Sequence, residues 1–306
     1  MTRRGWLLFL AMGVIWGIPY LLIKVAVSNL SPATLVLFRT GIGALILVPI
    51  AAARGELLPL RRYWRWILLY TAVEVTVPWF LLADAERHLS SSLTGLLVAA
   101  VPIVGALLAW ATRGADRPDA RRILGLVVGF AGVAALLGLD VGRGSLAAVA
   151  EVGLVTVGYA TGPRIISRRL SALPVVGVVA VSLALTALVY APLGLAQLPH
   201  GVPSTPVLAS VAILGVVCTA LAFILFFALI AEVGPVRATV ITYVNPAVAL
   251  LLGVLLLREA FTLAALVGFT LIVAGSILTT RRAAEPRLPP IATNQAEPAV
   301  ESVAIP

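Results

Sequence analysis

The chain has 306 residues, of which 61% are apolar and 11% are charged, and its mean hydropathy is +1.08. Because soluble domains carry about 25% charged residues, this composition excludes an ordinary soluble protein and predicts a membrane protein. The net charge of +9 comes from basic residues in short runs between long apolar stretches, a pattern that excludes a nucleic-acid-binding protein, whose basic residues cluster on one face.

Ten apolar stretches approach the length of about 20 residues that a membrane-spanning helix needs. They are 6–27, 32–53, 64–83, 89–112, 123–139, 145–163, 173–196, 206–230, 236–257 and 261–280. The first could also be a secretory signal, but its apolar region exceeds the about 7–15 residues typical of such signals. The sequence therefore predicts an all-α integral membrane protein with ten transmembrane helices.

Basic residues are distributed unevenly among the short loops between these stretches. Seventeen of the 22 lie at the termini and in every second loop, whereas the intervening loops contain Arg87, Arg143 and Arg258. Cytoplasmic loops carry an excess of Arg and Lys. The pattern therefore predicts a multi-pass protein of the plasma membrane with both termini in the cytoplasm.

A weak internal repeat divides the chain into two halves. A shift of 144 residues aligns Pro102 with Pro246, and a shift of 140 aligns Lys24 with Arg164. We expect five helices in residues 1–140 and five in 141–282, and an odd number per repeat inverts the second half in the membrane, as in many transporters. Residues 283–306 are rich in proline and predict a disordered cytoplasmic tail.

Short motifs recur in a characteristic order along residues 6–280. They are Trp16-Gly17, Lys24, Ser31-Pro32, Phe38-Arg39, Gly234-Pro235-Val236-Arg237-Ala238, Asn245-Pro246, Leu257-Arg258-Glu259, Gly268 and Gly275. In this order the chain resembles the EamA group of the drug/metabolite transporter superfamily. The resemblance implies ten helices in inverted five-helix repeats and transport, often export, of amino acids, other metabolites or drugs. The chain departs from the family at the end of the fourth span, where the family often has Glu and this chain has Asp116 nearby.

Four ionisable residues are candidates for lining the solute path, because charges inside a membrane are costly and usually face an interior cavity. Glu74, near the middle of the third helix, is either an ion-coupling residue that exchanges protons or a structural carboxylate paired with another helix, for which Arg39 is a candidate. Lys24 and Arg39 either extend to the interface or form a cationic lining for an anionic solute. Glu151 is either interfacial or a further lining residue.

Prolines and aromatic residues predict a solute-binding site between the first, fourth, sixth and ninth helices. Pro102 and Pro246 interrupt two helices at matching positions, which is a pointer to the central site of a transporter. Breaks are also expected at Trp16-Gly17-Ile18-Pro19 and Gly158-Tyr159. The candidate substrate-binding residues are Trp16, Trp79, Pro102, Tyr159, Tyr243, Asn245 and Pro246. In the alternative, the prolines only kink helices for packing and the aromatic residues belong to interfacial belts.

These features predict a transporter of small metabolites or drugs that works by alternating access, and we expect an exporter. Proton coupling and passive facilitation without ion coupling are both open. The sequence lacks the P-loop, GxSxG, HExxH and GxGxxG motifs, so an enzyme and a cofactor are not expected. One cysteine and two histidines do not predict a metal site. The expected partners are a small-molecule solute and the lipid bilayer, with the protein as a monomer or homodimer.

Overall fold

The computed structural model describes residues 2–113, 120–140, 145–234, 238 and 240–280. These residues form helices joined by short turns, and no strand occurs among them. The all-α fold class is therefore confirmed for this part of the chain. The predicted tail at 283–306 and Asp116 lie outside the described residues.

Eight helices are long and apolar enough to cross a membrane, and two shorter apolar helices follow them. The eight are α1 (Arg3–Ala26), α2 (Pro32–Ala53), α3 (Leu58–His88), α4 (Ser91–Ala111), α5 (Ala120–Leu137), α6 (Leu146–Leu170), α7 (Val175–Ala196) and α8 (Thr205–Val233), and the shorter two are α9 (Ile241–Leu256) and α10 (Leu263–Thr279). Each coincides with one predicted stretch, but α3 is longer than the predicted 64–83, and α9 is described over fewer residues than the predicted 236–257.

The outer surface of the bundle is apolar. Leu45, Leu188 and Leu255 are 70–78% exposed within helices that otherwise pack against one another. Large apolar side chains exposed in this way have a favourable environment in lipid, where every backbone group must be satisfied within the protein. The helices therefore present their apolar faces to the bilayer.

Helix α1 is interrupted at Trp16-Gly17, as predicted. It is helical to Ile15 and again from Ile18. Pro19, in the first turn of the second part, has no N–H to donate and fits best at a helix start. Gly17 also lets α1 approach α9 closely, because a Cβ there would collide with Val248.

The other predicted breaks have mixed outcomes. Helix α4 is interrupted at Ala99-Ala100, directly before the turn that contains Pro102. Pro246, in contrast, lies inside α9, which is continuous over Ile241–Leu256. The break predicted at Gly158-Tyr159 is wrong, because α6 is an uninterrupted α-helix from Leu146 to Ile165 and neither residue prevents the regular backbone hydrogen bonds.

Two helices contain wide π-helical turns at matching positions. These are Thr71–Thr76 in α3 and Val216–Leu221 in α8, which are separated by 145 residues, close to the repeat offset in the sequence. A third, at Ile166–Leu170, ends α6. Such turns are rare and occur frequently at functional sites. The pair in α3 and α8 therefore recurs at nearly the spacing of the weak repeat in the sequence.

Helices α5 and α10 form the most extensive helix pair in the bundle. A Cβ at Gly275 would lie 2.5–2.6 Å from backbone atoms of Gly125 and Gly129, and one at Gly132 would lie 2.8 Å from the carbonyl oxygen of Gly268. Small residues allow helices in membranes to approach closely enough for backbone contact. This close approach holds α5 and α10 together.

Side-chain contacts join helices at both ends of the bundle, which we call the Lys24 end and the Thr2 end. At the Lys24 end, which carries the α1–α2, α3–α4, α7–α8 and α9–α10 connections, the Lys24 ammonium binds the backbone carbonyl of Glu86. At the Thr2 end, the Thr2 hydroxyl donates to the Glu232 carboxylate at 2.5 Å. The helix ends are therefore joined by side chains at both faces of the bundle.

Replacing Gly275 by Ala should destabilise the protein, because the new methyl group overlaps the backbone of α5. Overpacking of this kind costs about 1–3 kcal/mol, which thermal unfolding in detergent would detect as a lower Tm. Gly41→Ala is the matched control, since a Cβ at Gly41 meets nothing within 4 Å. Equal unfolding temperatures for the two variants would contradict the described α5–α10 packing.

Candidate functional site

A buried guanidinium lies at the centre of the bundle. Arg39 of α2 is only 7% exposed, and its Cζ lies 3.7 Å from the centroid of the Trp79 ring of α3. Its Nε donates to the Thr219 hydroxyl of α8 at 3.1 Å. A desolvated cation over a tryptophan face gains about 2 kcal/mol or more. Arg39 is therefore held inside the protein and does not extend to the interface.

Arg39 forms no ion pair with an acid among the described residues. The ion pairs there join Arg54 to Glu56 and Arg87 to Asp84. The expected pairing of Arg39 with Glu74 is therefore wrong: the Trp79 ring and the Thr219 hydroxyl occupy the positions around the guanidinium instead. Glu86 interacts with Arg39 electrostatically but forms no ion pair with it, so the buried guanidinium is only partly compensated and its burial is costly.

Two tyrosines complete the surroundings of the guanidinium. Tyr20 of α1 and Tyr159 of α6 both interact with it electrostatically, and Tyr159 packs in the same apolar cluster as Trp79. We call these five residues, contributed by α1, α2, α3, α6 and α8, the Arg39 cluster: Tyr20, Arg39, Trp79, Tyr159 and Thr219.

Three members of this cluster were identified from the sequence and two were missed. Tyr20 lies in the second part of α1, after the break at Trp16-Gly17, and no sequence signal distinguished it from its apolar neighbours. Thr219 follows Glu74 by 145 residues, which is the offset of the two π segments. The repeat offset of 144 residues in the sequence carries Glu74 to Cys218, one residue before Thr219, so the sequence alone does not identify Thr219.

Glu74 lies beside the Arg39 cluster, in the π segment of α3. Its carboxylate packs against Gly162 of α6, where any Cβ would collide with it. Its Oε2 atom is buried and has no hydrogen-bond partner among the described residues. Glu74 and Arg39 both interact electrostatically with Tyr159. An acid and a base thus approach the same tyrosine without pairing.

Lys24 joins α1 to the turn between α3 and α4. Its Nζ donates to the carbonyl oxygens of Glu86 and Leu89 at 2.5 and 2.7 Å. A cation at a helix C-terminus satisfies unpaired carbonyls and interacts favourably with the helix dipole. Two of the three N–H donors of Lys24 are therefore bound to backbone carbonyls, so its side chain joins helices and does not extend to the interface in this conformation.

Glu151 lies near the Lys24 end, between α6 and α3. It interacts electrostatically with Asp84 and His88, and its Oε2 atom is buried without a hydrogen-bond partner in the described part of the chain. This contact joins the start of α6 to the end of α3. Glu151 therefore lies at a helix junction, at a distance from the Arg39 cluster along both helices.

Trp16 lies in an aromatic group between α1 and α8. Its ring centroid is 6.0 Å from that of Phe223 and 4.6 Å from that of Phe226. Both phenylalanines follow the π segment of α8. The break in α1 thus packs against the helix that supplies Thr219 to the Arg39 cluster.

Asn245 ties α9 to α1. With its amide oriented to satisfy its neighbours, its nitrogen donates to the carbonyl oxygens of Ile241 at 2.9 Å and of Gly13 at 3.1 Å. The remaining predicted site residues of α4 and α9 differ in burial: Pro246 is buried, whereas Pro102 and Tyr243 are half-buried. Asn245 therefore stabilises helix packing in this conformation.

An open cavity of about 510 Å³ lies at the Lys24 end. Its walls come from the α1–α2 turn and from the ends of α3 and α7: Val27, Ser28, Asn29, Leu30, Ser31, Pro32, Phe80, Asp84, Arg87, Leu193 and Gln197. The Phe80 ring stacks on the Tyr190 ring, with 5.5 Å between the ring centroids. Phe80 directly follows Trp79 in α3. Phe80 and Trp79 thus connect the wall of this cavity to the Arg39 cluster along α3.

Asn245→Ala should lower the stability of the protein, because two carbonyls lose their donor. With about 1 kcal/mol for each such hydrogen bond, we expect a loss of about 2 kcal/mol, measured by denaturant unfolding in detergent. Asn29→Ala, in the exposed α1–α2 turn, is the control. Unchanged stability together with weaker solute binding would instead assign Asn245 to the solute site.

Comparisons with known proteins identify the family to which these features belong. The sequence model of the EamA-like transporter family matches residues 3–138 and 148–281. The "Uncharacterized transporter YvbV" of Bacillus subtilis (strain 168) is 24% identical over 298 residues, which are 96% of this chain and 97% of that protein. The "Uncharacterized transporter YxxF" of the same organism is 29% identical over 145 residues, covering 44% of this chain and 46% of that one.

The fold is also shared with a known crystal structure. That structure is 22% identical in sequence, has a TM-score of 0.65, and is matched over 92% of this chain and 98% of its own. Family and relatives are transporters of the membrane and not enzymes. The chain belongs to the EamA-like transporter family, within the drug/metabolite transporter superfamily.

Proposed function

We propose that this protein is a ten-span exporter of small metabolites or drugs that works by alternating access in the plasma membrane. The observation that carries the proposal is Arg39, a buried guanidinium that forms no ion pair with an acid among the described residues. Arg39 contacts Thr219, in the π segment of α8, and Trp79 of α3, and these two helices belong to different proposed halves. Amino acids are the first solutes to test, because they carry a carboxylate.

Several observations support two five-helix halves, at 1–140 and 141–282. The same family model matches residues 3–138 and 148–281, and the π segments of α3 and α8 recur at an offset of 145 residues. Helices α9 and α10 complete the second half, since a short apolar helix can be accommodated by local thinning of the bilayer. With five helices in each half, the second half has the opposite orientation.

Contacts between helices agree with a two-fold relation between the halves. Helix α2 packs on α7, α4 on α9 and α5 on α10, and the α1–α8 contact corresponds to the α3–α6 contact. At the Thr2 end, α1 and α8 meet at Thr2 and Glu232. At the Lys24 end, α3 and α6 meet at Glu151. We propose that these two junctions open in turn, with Lys24 and Glu151 in the outer one.

Arg39 is proposed to bind the carboxylate of the solute. A guanidinium binds a carboxylate through two parallel hydrogen bonds, and here its Nε is committed to Thr219 while the acid position is filled by no residue. Trp79 and Tyr159 would provide the walls of the site, and Trp16, Pro102, Tyr243, Asn245 and Pro246 would line it when the helices separate. The uneven distribution of arginine supports cytoplasmic termini, which places the cavity at the Lys24 end outside. Either a monomer or a homodimer fits this proposal.

Arg39→Gln should abolish binding of carboxylate solutes. A thermal-shift screen of the purified protein against amino acids, and against the same amino acids as amides, measures this directly. The wild type should be stabilised by at least one acid and not by its amide, and Arg39→Gln by neither. Losing one charged hydrogen-bonding group costs about 1.5–3 kcal/mol, or about ten- to a hundredfold in affinity.

Arg65→Gln is the matched control for this experiment. Arg65 also lies over a tryptophan, with its Cζ 5.4 Å from the Trp64 ring, but it is exposed at the start of α3. It should respond to solutes like the wild type. Equal stabilisation by acids and amides, or unchanged binding by Arg39→Gln, would exclude Arg39 as the carboxylate receptor.

Glu74 is proposed to couple solute movement to protons. If it does, Glu74→Gln should abolish flux driven by a pH gradient in proteoliposomes while solute binding persists, because the amide cannot take up or release a proton. Glu56→Gln, in the turn before α3, is the control. Wild-type flux that does not depend on the pH gradient would indicate a passive facilitator. If flux in Glu74→Gln still depends on the pH gradient as in the wild type, the role of Glu74 is structural.

A further inference from the structure

Glu86 is the most deeply buried acid in the described part of the chain. It lies in the last turn of α3 and has no exposed surface. Neither of its carboxylate oxygens has a hydrogen-bond partner in the described structure. An ionised carboxylate in this environment has lost its water without gaining donors, whereas a protonated carboxyl group is neutral and loses far less.

The nearest cation does not neutralise Glu86 by hydrogen bonding to its side chain. Lys24 interacts electrostatically with the carboxyl group, but its Nζ is bound to the backbone carbonyls of Glu86 and Leu89 at 2.5 and 2.7 Å. The ammonium therefore holds the α3–α4 turn. The charge of Lys24 favours an ionised Glu86 but supplies no hydrogen bond to either carboxylate oxygen, whereas a proton on the carboxyl group removes the unsolvated charge.

The other ionisable neighbours of Glu86 are also committed elsewhere. Arg39 is bound to Trp79 and Thr219. Glu259 accepts hydrogen bonds from the backbone N–H groups of Ser91 and Ser92 at 2.8 and 2.9 Å. The negative charge of Glu259 opposes a second one at Glu86.

The tyrosines Tyr20 and Tyr159 also interact electrostatically with Glu86. Tyr20 and Lys24 both lie on the second part of α1, Ile18–Ala26, which begins after the break at Trp16-Gly17. This short helix therefore connects the Arg39 cluster to the α3–α4 turn. A change in the bonds of Lys24 would be transmitted to Tyr20.

We propose that Glu86 is a proton-binding site and that release of its proton loosens the Lys24 bond to the α3–α4 turn. The O–H bond of the carboxyl group breaks, its electron pair stays on the carboxylate, and the proton passes to water at the Lys24 end. The Lys24 ammonium then transfers its hydrogen bonds from the backbone carbonyls to the carboxylate. The purpose of this proton site, which is to link proton release to opening of the Lys24 end, rests on the proposed function.

Infrared spectroscopy of the reconstituted full chain tests for the proton directly. The wild type should show, at neutral pH, a carbonyl stretch from a protonated carboxyl group without hydrogen bonds. Glu86→Gln, which has nearly the same shape and no charge, should lack this band, and Glu56→Gln should keep it. Identical spectra for the wild type and Glu86→Gln would overturn the proposal, as would a band that disappears on adding sodium at constant pH, which would indicate a cation site.

Cysteine labelling tests the effect on the Lys24 end. Ser92→Cys places a thiol at a position that is 5% exposed beside Glu259, and Ser28→Cys places one at an exposed position of the α1–α2 turn. The native Cys218 is 1% exposed and should contribute little background. The labelling rate at position 92, divided by that at position 28, removes the intrinsic effect of pH on thiol reactivity.

This ratio should rise about tenfold between acidic and alkaline pH, as when an open state grows from about 1% to about 10% of the population. In a Glu86→Gln background it should keep its acidic value at both pH values. A ratio independent of pH in the wild type would overturn the link to Lys24. If the protein moves no solute but both readouts behave as described, the proton site stands and the transport proposal fails, so the two failures are distinguishable.

Discussion

A charged group in the interior of a membrane bundle must be solvated by the protein itself, and the Arg39 cluster shows how this chain does so. The face of Trp79 and the hydroxyl of Thr219 take the place of water around the guanidinium, which requires α2, α3 and α8 to meet at one depth. Gly43 makes this possible, because a Cβ there would lie 2.9 Å from the Thr219 methyl group. The position of the central charge thus dictates close helix packing around it.

Irregular helix geometry lies where this packing needs it. The π segments of α3 and α8 contain Glu74 and Thr219, and the break in α1 separates Tyr20 and Lys24 from the Thr2 end. In a membrane an irregular backbone is tolerated only where other helices or water satisfy it. The departures from regular helix therefore form one connected region, from the Arg39 cluster to the α3–α4 turn.

Hydropathy predicts where helices lie better than it predicts what they contact. The apolar runs coincide with the eight helices long enough to span a membrane and with the two shorter apolar helices. The predicted third span ended at 83, because the charges of Asp84, Glu86 and Arg87 lower the local average. The structure continues α3 to His88 and buries Glu86, which lies beyond the end of the predicted span. Averages over a window cannot tell a charge that faces lipid or water from one that faces another helix.

The sequence predicted those site residues whose chemical character is visible at a single position. Arg39, Trp79 and Tyr159 were all candidates, since charge and aromatic character are visible in single positions. Their convergence was not predicted, because it depends on α2, α3 and α6 meeting in space. Pro246 illustrates the opposite error: a proline indicates a missing hydrogen bond, yet neighbouring packing keeps α9 continuous.

Counterflow in proteoliposomes tests most directly whether the Arg39 cluster serves alternating access. Vesicles containing the wild type are preloaded with an unlabelled carboxylate solute and then given a trace of the labelled solute outside. The account predicts transient accumulation of label that depends on preloading and is absent in Arg39→Gln, because exchange requires a loaded central site that faces each side in turn. Accumulation that is equal in the wild type and Arg39→Gln, or entry of label that does not depend on preloading, would contradict it.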